Sequence, residues 1–406
     1  MKKEMFYHMR KLLLALPILV FATHSQAAEK PTLLDLKTAY GELLGLFPEK
    51  AQGKGRDRGK VDVIADQPMT YGLGLSAEAL RYRALPTDEG KRRVRQASRW
   101  LLDNSRLAED GKIGWGLPFA WNEYPQHTGY TITTAVVLEG LLDALTLGDF
   151  WKKEERERIL RAIREAQVRW CREMWVEDHA EGYFRYSTHD AGPGWFCVNA
   201  PAMFLGAMAR FHIEHASVAS ATERKMLAER MDKLARAIVA TVELREGAPY
   251  WKYIIPPNKY KSDRPNDLVH QAYILWGVEH YRDARNTVKL PWNRTGAMES
   301  LERFWKDGAL RFFAQDEETV KPGNREAPSN LWGIGMLLAA YGKWGTPKQS
   351  ARCFSSMVES HGPFPGLRVL PREVSSDDRF FLRDGAHVLF GLAHAVYPRN
   401  TTDGGR

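Results

Sequence analysis

Two apolar patterns alternate along this chain. Charge-rich stretches with apolar residues at three- and four-residue spacing cover residues 32–47, 87–104, 152–175, 221–244, 296–312 and 347–360. Each reads as an amphipathic helix with one solvated face. After each comes a segment apolar nearly all round, the pattern of a buried helix. A glycine stands at the centre of five such segments, as Gly140, Gly206, Gly277, Gly335 and Gly391, with gaps of 66, 71, 58 and 56 residues. A looser sixth copy begins at Tyr71-Gly72-Leu73-Gly74. These gaps are too long for common solenoid repeats and suit a helix pair with its loops. Glycine costs roughly 1 kcal/mol inside a helix, so its recurrence predicts close approach between neighbouring helices.

Six exposed and six buried helices in strict alternation predict an inner ring inside an outer one. In this the chain resembles the all-α six-hairpin (α/α)6 toroid of carbohydrate-active enzymes. An open superhelix is the alternative, because repeat arrays also alternate their helix faces. β-Strand signals are sparse, with 182–187 and 250–255 each a candidate short strand in a long loop. The expected organisation is a signal peptide over 1–27, one toroid domain over 28–397 and a disordered tail over 398–406.

The N-terminus carries Lys2, Lys3, Arg10 and Lys11, an apolar run over 12–22 and a small-x-small site at Ser25-Gln26-Ala27. That is a secretory signal, implying a periplasmic or secreted protein. No later run approaches the roughly 20 apolar residues of a spanning helix, so no integral membrane segment is expected after cleavage. The formal net charge of +8 is compatible with an acidic polymer as substrate. Most Arg and Lys, however, fall on the outer helices, where a solvated face explains them. No nucleic-acid partner is expected.

Cys171, Cys197 and Cys353 form no CxxC pair, and buried thiols are expected, with at most one disulfide. Only Cys197 falls near the ring mouth, so a zinc site is not expected. The glycine-rich stretch 52–60 lacks the strand-to-helix context of a phosphate loop and reads as a mobile connection. The chain calls for no cofactor and no metal.

In such a ring, chemistry belongs where loops enter the N-termini of the inner helices. These loops are rich in aromatic and polar residues: Trp115, Trp121, Glu123, Arg185, Asp190, Trp251, Lys252 and Tyr253, with Trp332 and Arg383 just beyond. Planar rings stack on sugar faces, while guanidinium and carboxylate groups bind hydroxyls and acids, so these ten are the candidate substrate contacts. Seven residues before the recurring glycines stand Thr133, Asn199, His270, Pro328 and Asp384. Ten before stand Tyr130 and Asp267, among others. Asp267, His270 and Tyr273 lie along one helical stripe. Candidate catalytic residues are therefore His127, Tyr130, Asn199, Asp267, His270, Tyr273 and Asp384. His127 or Tyr130, Asn199, His270 and Asp384 are expected to face one funnel, ringed by Trp115, Trp121, Trp251 and Trp332.

Two reactions fit these residues. Proton abstraction beside a uronic carboxylate needs a neutral His or a Tyr as base and a cation or amide to hold the developing charge. In residue kinds the assembly resembles toroidal polysaccharide lyases and glucuronyl epimerases. Glycoside hydrolysis instead needs two carboxyl groups, and Asp267 with Asp384 would be the pair. A non-catalytic sugar-binding or scaffold protein of a polysaccharide export system is the third reading. The partner in each case is a polysaccharide or oligosaccharide.

Overall fold

The division between charged and apolar helices becomes a division between outside and inside. The computed structural model describes residues 33–397, apart from 108, 122, 179–180, 191–193, 257–261, 286, 372–373 and 376. The expected signal peptide and tail lie outside the described residues.

The first hairpin pairs α1 (Leu33–Leu44) with α2 (Pro68–Ala84), joined through strands β1 (Lys54–Asp57) and β2 (Lys60–Asp66). The next two are α3 (Asp88–Asp103) with α4 (Thr131–Leu145), and α5 (Lys153–Arg169) with α6 (Asn199–His215). Between α5 and α6 lie β3 (Trp175–Asp178) and β4 (Glu181–Phe184). The fourth is α7 (Ala221–Ala240) with α8 (Leu268–Ala284), carrying β5 (Glu243–Arg245) and β6 (Ala248–Tyr250). In the fifth, α9 (Arg294–Glu302), β7 (Trp305–Lys306), β8 (Ala309–Leu310) and the single turn α10 (Pro322–Arg325) lead to α11 (Leu331–Trp344). The sixth is α12 (Pro347–His361) with α13 (Leu382–Val396). Each strand pair is an antiparallel ribbon of its own.

Helices α2, α4, α6, α8, α11 and α13 pack each on the next, and α13 returns to α2, closing an inner ring. The five glycines all lie in it, as predicted, and they work in pairs. A Cβ on Gly140 would stand 2.2 Å from the Gly72 carbonyl; one on Gly277, 1.8 Å from that of Ala202; one on Gly391, 2.4 Å from that of Gly335. The contacts α2–α4, α6–α8 and α11–α13 are thus backbone-close, alternating with wider ones around the ring. Every residue of α4 is buried. In α3, by contrast, Val94, Ala97 and Leu101 are buried while Lys91, Arg92 and Arg99 face solvent, and Thr87 caps the helix by accepting from the Gly90 amide at 3.1 Å. Such a cap is worth about 1 kcal/mol.

Three expectations need correction. The outer helix expected over 296–312 stops at Glu302, where a β-ribbon with Asp307 and Gly308 at positive φ takes over. The one over 152–175 ends in a wide π turn and then a strand. The stretch 52–60 is a β-ribbon rather than a loose loop, with Lys54 opposite Asp66 and Arg56 opposite Ile64. The three cysteines are free and buried.

Toward the C-terminal ends of the inner helices the ring interior is polar. Arg210 bonds Glu139 at 2.6 Å and Asp143 at 2.8 Å, and burial pulls the His280 pKa down to about 4. No helix among the described residues is long and apolar enough to cross a membrane.

Candidate active site

At the opposite end, the N-termini of the inner helices surround a cavity of about 280 Å³. All six contribute within their first two turns: Met69 from α2, Ile132 and Thr133 from α4, Asn199 from α6, His270 and Tyr273 from α8, Trp332 from α11, and Arg383 from α13. Loop residues Leu117, Trp121, Tyr130, Tyr186 and Tyr253 complete the wall with Arg58 and Gly59. None of the described residues lining it is an Asp or Glu.

His270 is positioned by the residue that starts its helix. Asp267 caps α8, one carboxylate oxygen accepting from the His270 amide at 3.1 Å while the other lies 2.7 Å from Nδ1 of the same ring. The carboxylate fixes the ring and leaves Nε2 without a hydrogen bond among the described residues. Tyr253 packs on the imidazole, with centroids 4.6 Å apart. Tyr130 is buried, its hydroxyl has no hydrogen-bond partner among the described residues, and burial raises its pKa to about 12. Tyr273 bonds His387 of α13 at 2.5 Å. Asn199 accepts from the Cys197 thiol at 2.9 Å, which leaves its amide nitrogen available to a ligand.

Two guanidiniums supply positive charge. That of Arg383 lies 4.2 Å from the Trp332 ring centroid and that of Arg58 at 5.1 Å. Asp57 holds Arg383, with contacts of 2.8 Å to Nε and 3.1 Å to Nη2. The same carboxylate accepts from the Gly59 amide at 2.8 Å, shaping the ribbon tip. Gly59 sits so close to Trp121 that a Cβ there would come within 2.4 Å of the ring. The β1–β2 ribbon is therefore a wall of the cavity, pinned to α13.

The expectations divide clearly. Tyr130, Asn199, His270, Tyr273, Trp121, Tyr253, Trp332 and Arg383 meet in this cavity, with Asp267 directly behind His270. Glu123, Arg185 and Asp190 line an adjoining cleft. Five residues do not fit. His127 is exposed in a turn at φ 66°, its amide bonded to the Leu117 carbonyl at 2.7 Å. Trp115 and Trp251 are core residues rather than funnel walls: each buried indole N–H donates at 2.9 Å to a carbonyl of the preceding outer helix, of Leu101 and Ile238. Lys252 is ion-paired with Glu317 at 2.7 Å in a separate, ion-pair-filled hollow. Asp384 is fully buried and lines neither cavity nor cleft; burial raises its pKa to about 6. Arg58 and Tyr186 were not anticipated.

No protein-family model and no curated protein matches the sequence. Solved structures do match in shape. A GH76 α-mannanase from Bacteroides thetaiotaomicron superposes with a TM-score of 0.62 at 11% identity, over 89% of this chain and 96% of that one. The chain folds as an (α/α)6 toroid. A D-mannose isomerase gives 0.61 at 12% identity over 92% and 99% of the two chains. The cellobiose 2-epimerase of Bacillus thermoamylovorans gives 0.60 at 10% over 89% and 98%. Similarity at this level of identity speaks for architecture.

Proposed function

We propose that this protein is an exported carbohydrate-active enzyme that removes the proton beside the carboxylate of a uronic acid unit, as a polysaccharide lyase or epimerase does. One observation carries the reading. The cavity brings a carboxylate-oriented His270 and an unpartnered Tyr130 hydroxyl together with Arg58 and Arg383, and its described lining holds no carboxyl group. The guanidiniums, with the helix N-termini converging there, suit a carboxylate ligand. His270 Nε2 is the base that takes the proton, Asp267 steadying the resulting imidazolium. Asn199 and the guanidiniums hold the charge that develops on the substrate carboxylate. Tyr130 is the acid that returns a proton, to the leaving oxygen in elimination or to the carbon in epimerisation. Sugar isomerases and epimerases stand beside hydrolases among the similar structures, so analogy allows the proposed reaction on this architecture without choosing it.

The hydrolase reading has less support. It needs two carboxyl groups flanking one bond, whereas Asp267 is engaged by His270 and Asp384 lies behind the lining. A polysaccharide-binding role without catalysis predicts no turnover at all. The test is incubation of the purified protein with polyuronates and neutral polysaccharides in deuterated water. Elimination produces near-ultraviolet absorbance from the new C=C–COO⁻ group, and epimerisation incorporates deuterium into the sugar. New reducing ends with neither signal would overturn the proposal in favour of hydrolysis.

A further inference from the structure

The central cavity shares Trp121, Tyr186 and Tyr253 with a neighbouring cleft of about 520 Å³. Beyond that shared wall the cleft is lined by Arg185 and by Trp195, a residue 54% exposed. Arg185 presents charge here, and its Nε is buried without a hydrogen-bond partner among the described residues. Of the two carboxylates that line the cleft, Asp190 is engaged, accepting from the Tyr124 hydroxyl at 2.5 Å and the Ser187 amide at 2.7 Å, and Glu123 is exposed to solvent. The site therefore continues outward as an aromatic surface with a cation, Arg185, whose side chain makes no ion pair among the described residues. Elsewhere the β1–β2 ribbon walls the mouth: Arg58 stands over Trp332, Gly59 lies against Trp121, and the Asp57–Arg383 pair anchors it.

We propose that the cavity takes the terminal unit of an acidic oligosaccharide and the cleft takes the next two. One of those two sets its carboxylate on Arg185 and the other stacks a sugar face on Trp195, so the enzyme works from the chain end. The proposal rests on the function proposed above, since it assumes a uronate in the cavity. It adds a length, a direction and two binding residues that function alone does not require.

Calorimetric titration with glucuronate, mannuronate and galacturonate oligomers of one, two, three and five units tests it, with cello-oligosaccharides as the neutral control. Affinity for the bound uronate series should rise about three- to tenfold per unit up to three units, the span one aromatic or ionic contact gives, and then stop. R185A and W195A should each shrink the ratio of trimer to monomer affinity, and only the R185A effect should fade with salt. Affinity independent of length, or still climbing at five units, overturns the chain-end arrangement while leaving a uronate site intact. Acidic and neutral oligomers binding alike would defeat the proposed function itself, and this inference with it.

Discussion

The Tyr273 hydroxyl stands 2.5 Å from Nε2 of His387, and Nδ1 of that same ring lies 2.7 Å from the Arg383 carbonyl. A carbonyl only accepts, so Nδ1 carries the proton and Nε2 accepts from the tyrosine. Burial keeps the imidazole neutral by pulling its pKa down to about 3, and it pushes the tyrosine's up. Tyr273 faces the cavity from α8 while His387 is fully buried on α13. One bond thus ties the proposed base's helix to the helix that presents Arg383.

Tyr273→Phe should accordingly destabilise the fold by about 1–3 kcal/mol, because a buried acceptor loses its donor. Urea unfolding of the variant measures this. If Tyr273 also positions the cavity wall, turnover falls with little change in KM. An unchanged urea midpoint would show that the hydroxyl contributes nothing to joining the two helices.

The Asp267–His270 pair separates the two chemistries. With His270 as base, His270→Ala should lower kcat by about 10²–10⁴-fold, the usual worth of general base catalysis. Asp267→Asn should cost less, since asparagine still caps α8. The reverse order, with Asp267→Asn near inactive and His270→Ala mild, would identify a glycosidase carboxylate. Measuring kcat for both variants on one substrate decides.

The ring was legible because its demands are local. Close helix approach requires glycine, so the glycine spacing revealed the inner helices, and counting back from it brought Thr133, Asn199 and His270 to one level. That count failed for Pro328, because α11 begins only at Leu331, four residues before Gly335. Its cavity residue is Trp332 instead. Trp115 and Trp251 misled for a different reason: a loop tryptophan that stacks on a ligand and one that wedges between outer and inner helix have the same sequence context. Their amides meet Thr134 and Gln271 in matching positions, at 3.3 and 3.4 Å, so they are one structural device used twice. Arg58 was invisible because its ribbon is held by Arg383, 326 positions beyond Asp57.

The paired glycines give a contrast within one residue type. Gly277→Ala forces a methyl to within 1.8 Å of the Ala202 carbonyl. Backbone on both sides must then move apart, at a cost of about 3 kcal/mol or more. Gly74→Ala, also in an inner helix, meets nothing within 4 Å and should gain about 0.5–1 kcal/mol from helix propensity alone. Thermal midpoints of the two variants should therefore move in opposite directions. A stabilising or neutral Gly277→Ala would mean that α6 and α8 are not held at backbone contact.

Asp384 makes the sharpest pH test. Its carboxyl is fully buried without a hydrogen-bond partner among the described residues, and burial raises its pKa from 3.8 to about 6, against the opposing pull of Arg58 and Arg383. A raised folded value means the native state holds this proton longer than the unfolded chain. Its contribution to stability is therefore fully present below about pH 4 and is lost as pH rises through 6. Asp384→Asn cannot titrate and so escapes the loss. The stability of Asp384→Asn minus that of the native protein should rise between pH 4 and 6 and then level off, by about 3 kcal/mol at most. His280, with its pKa lowered to about 4, acts in the opposite sense: its contribution is full above about 6.5 and is lost as pH falls toward 4. It is present in both proteins and cancels in the difference. Urea unfolding of the two proteins from pH 4 to 7 measures the curve. A flat difference would mean that Asp384 ionises in the native state as it does in the unfolded chain, and that the protein interior beneath Arg383 is wet.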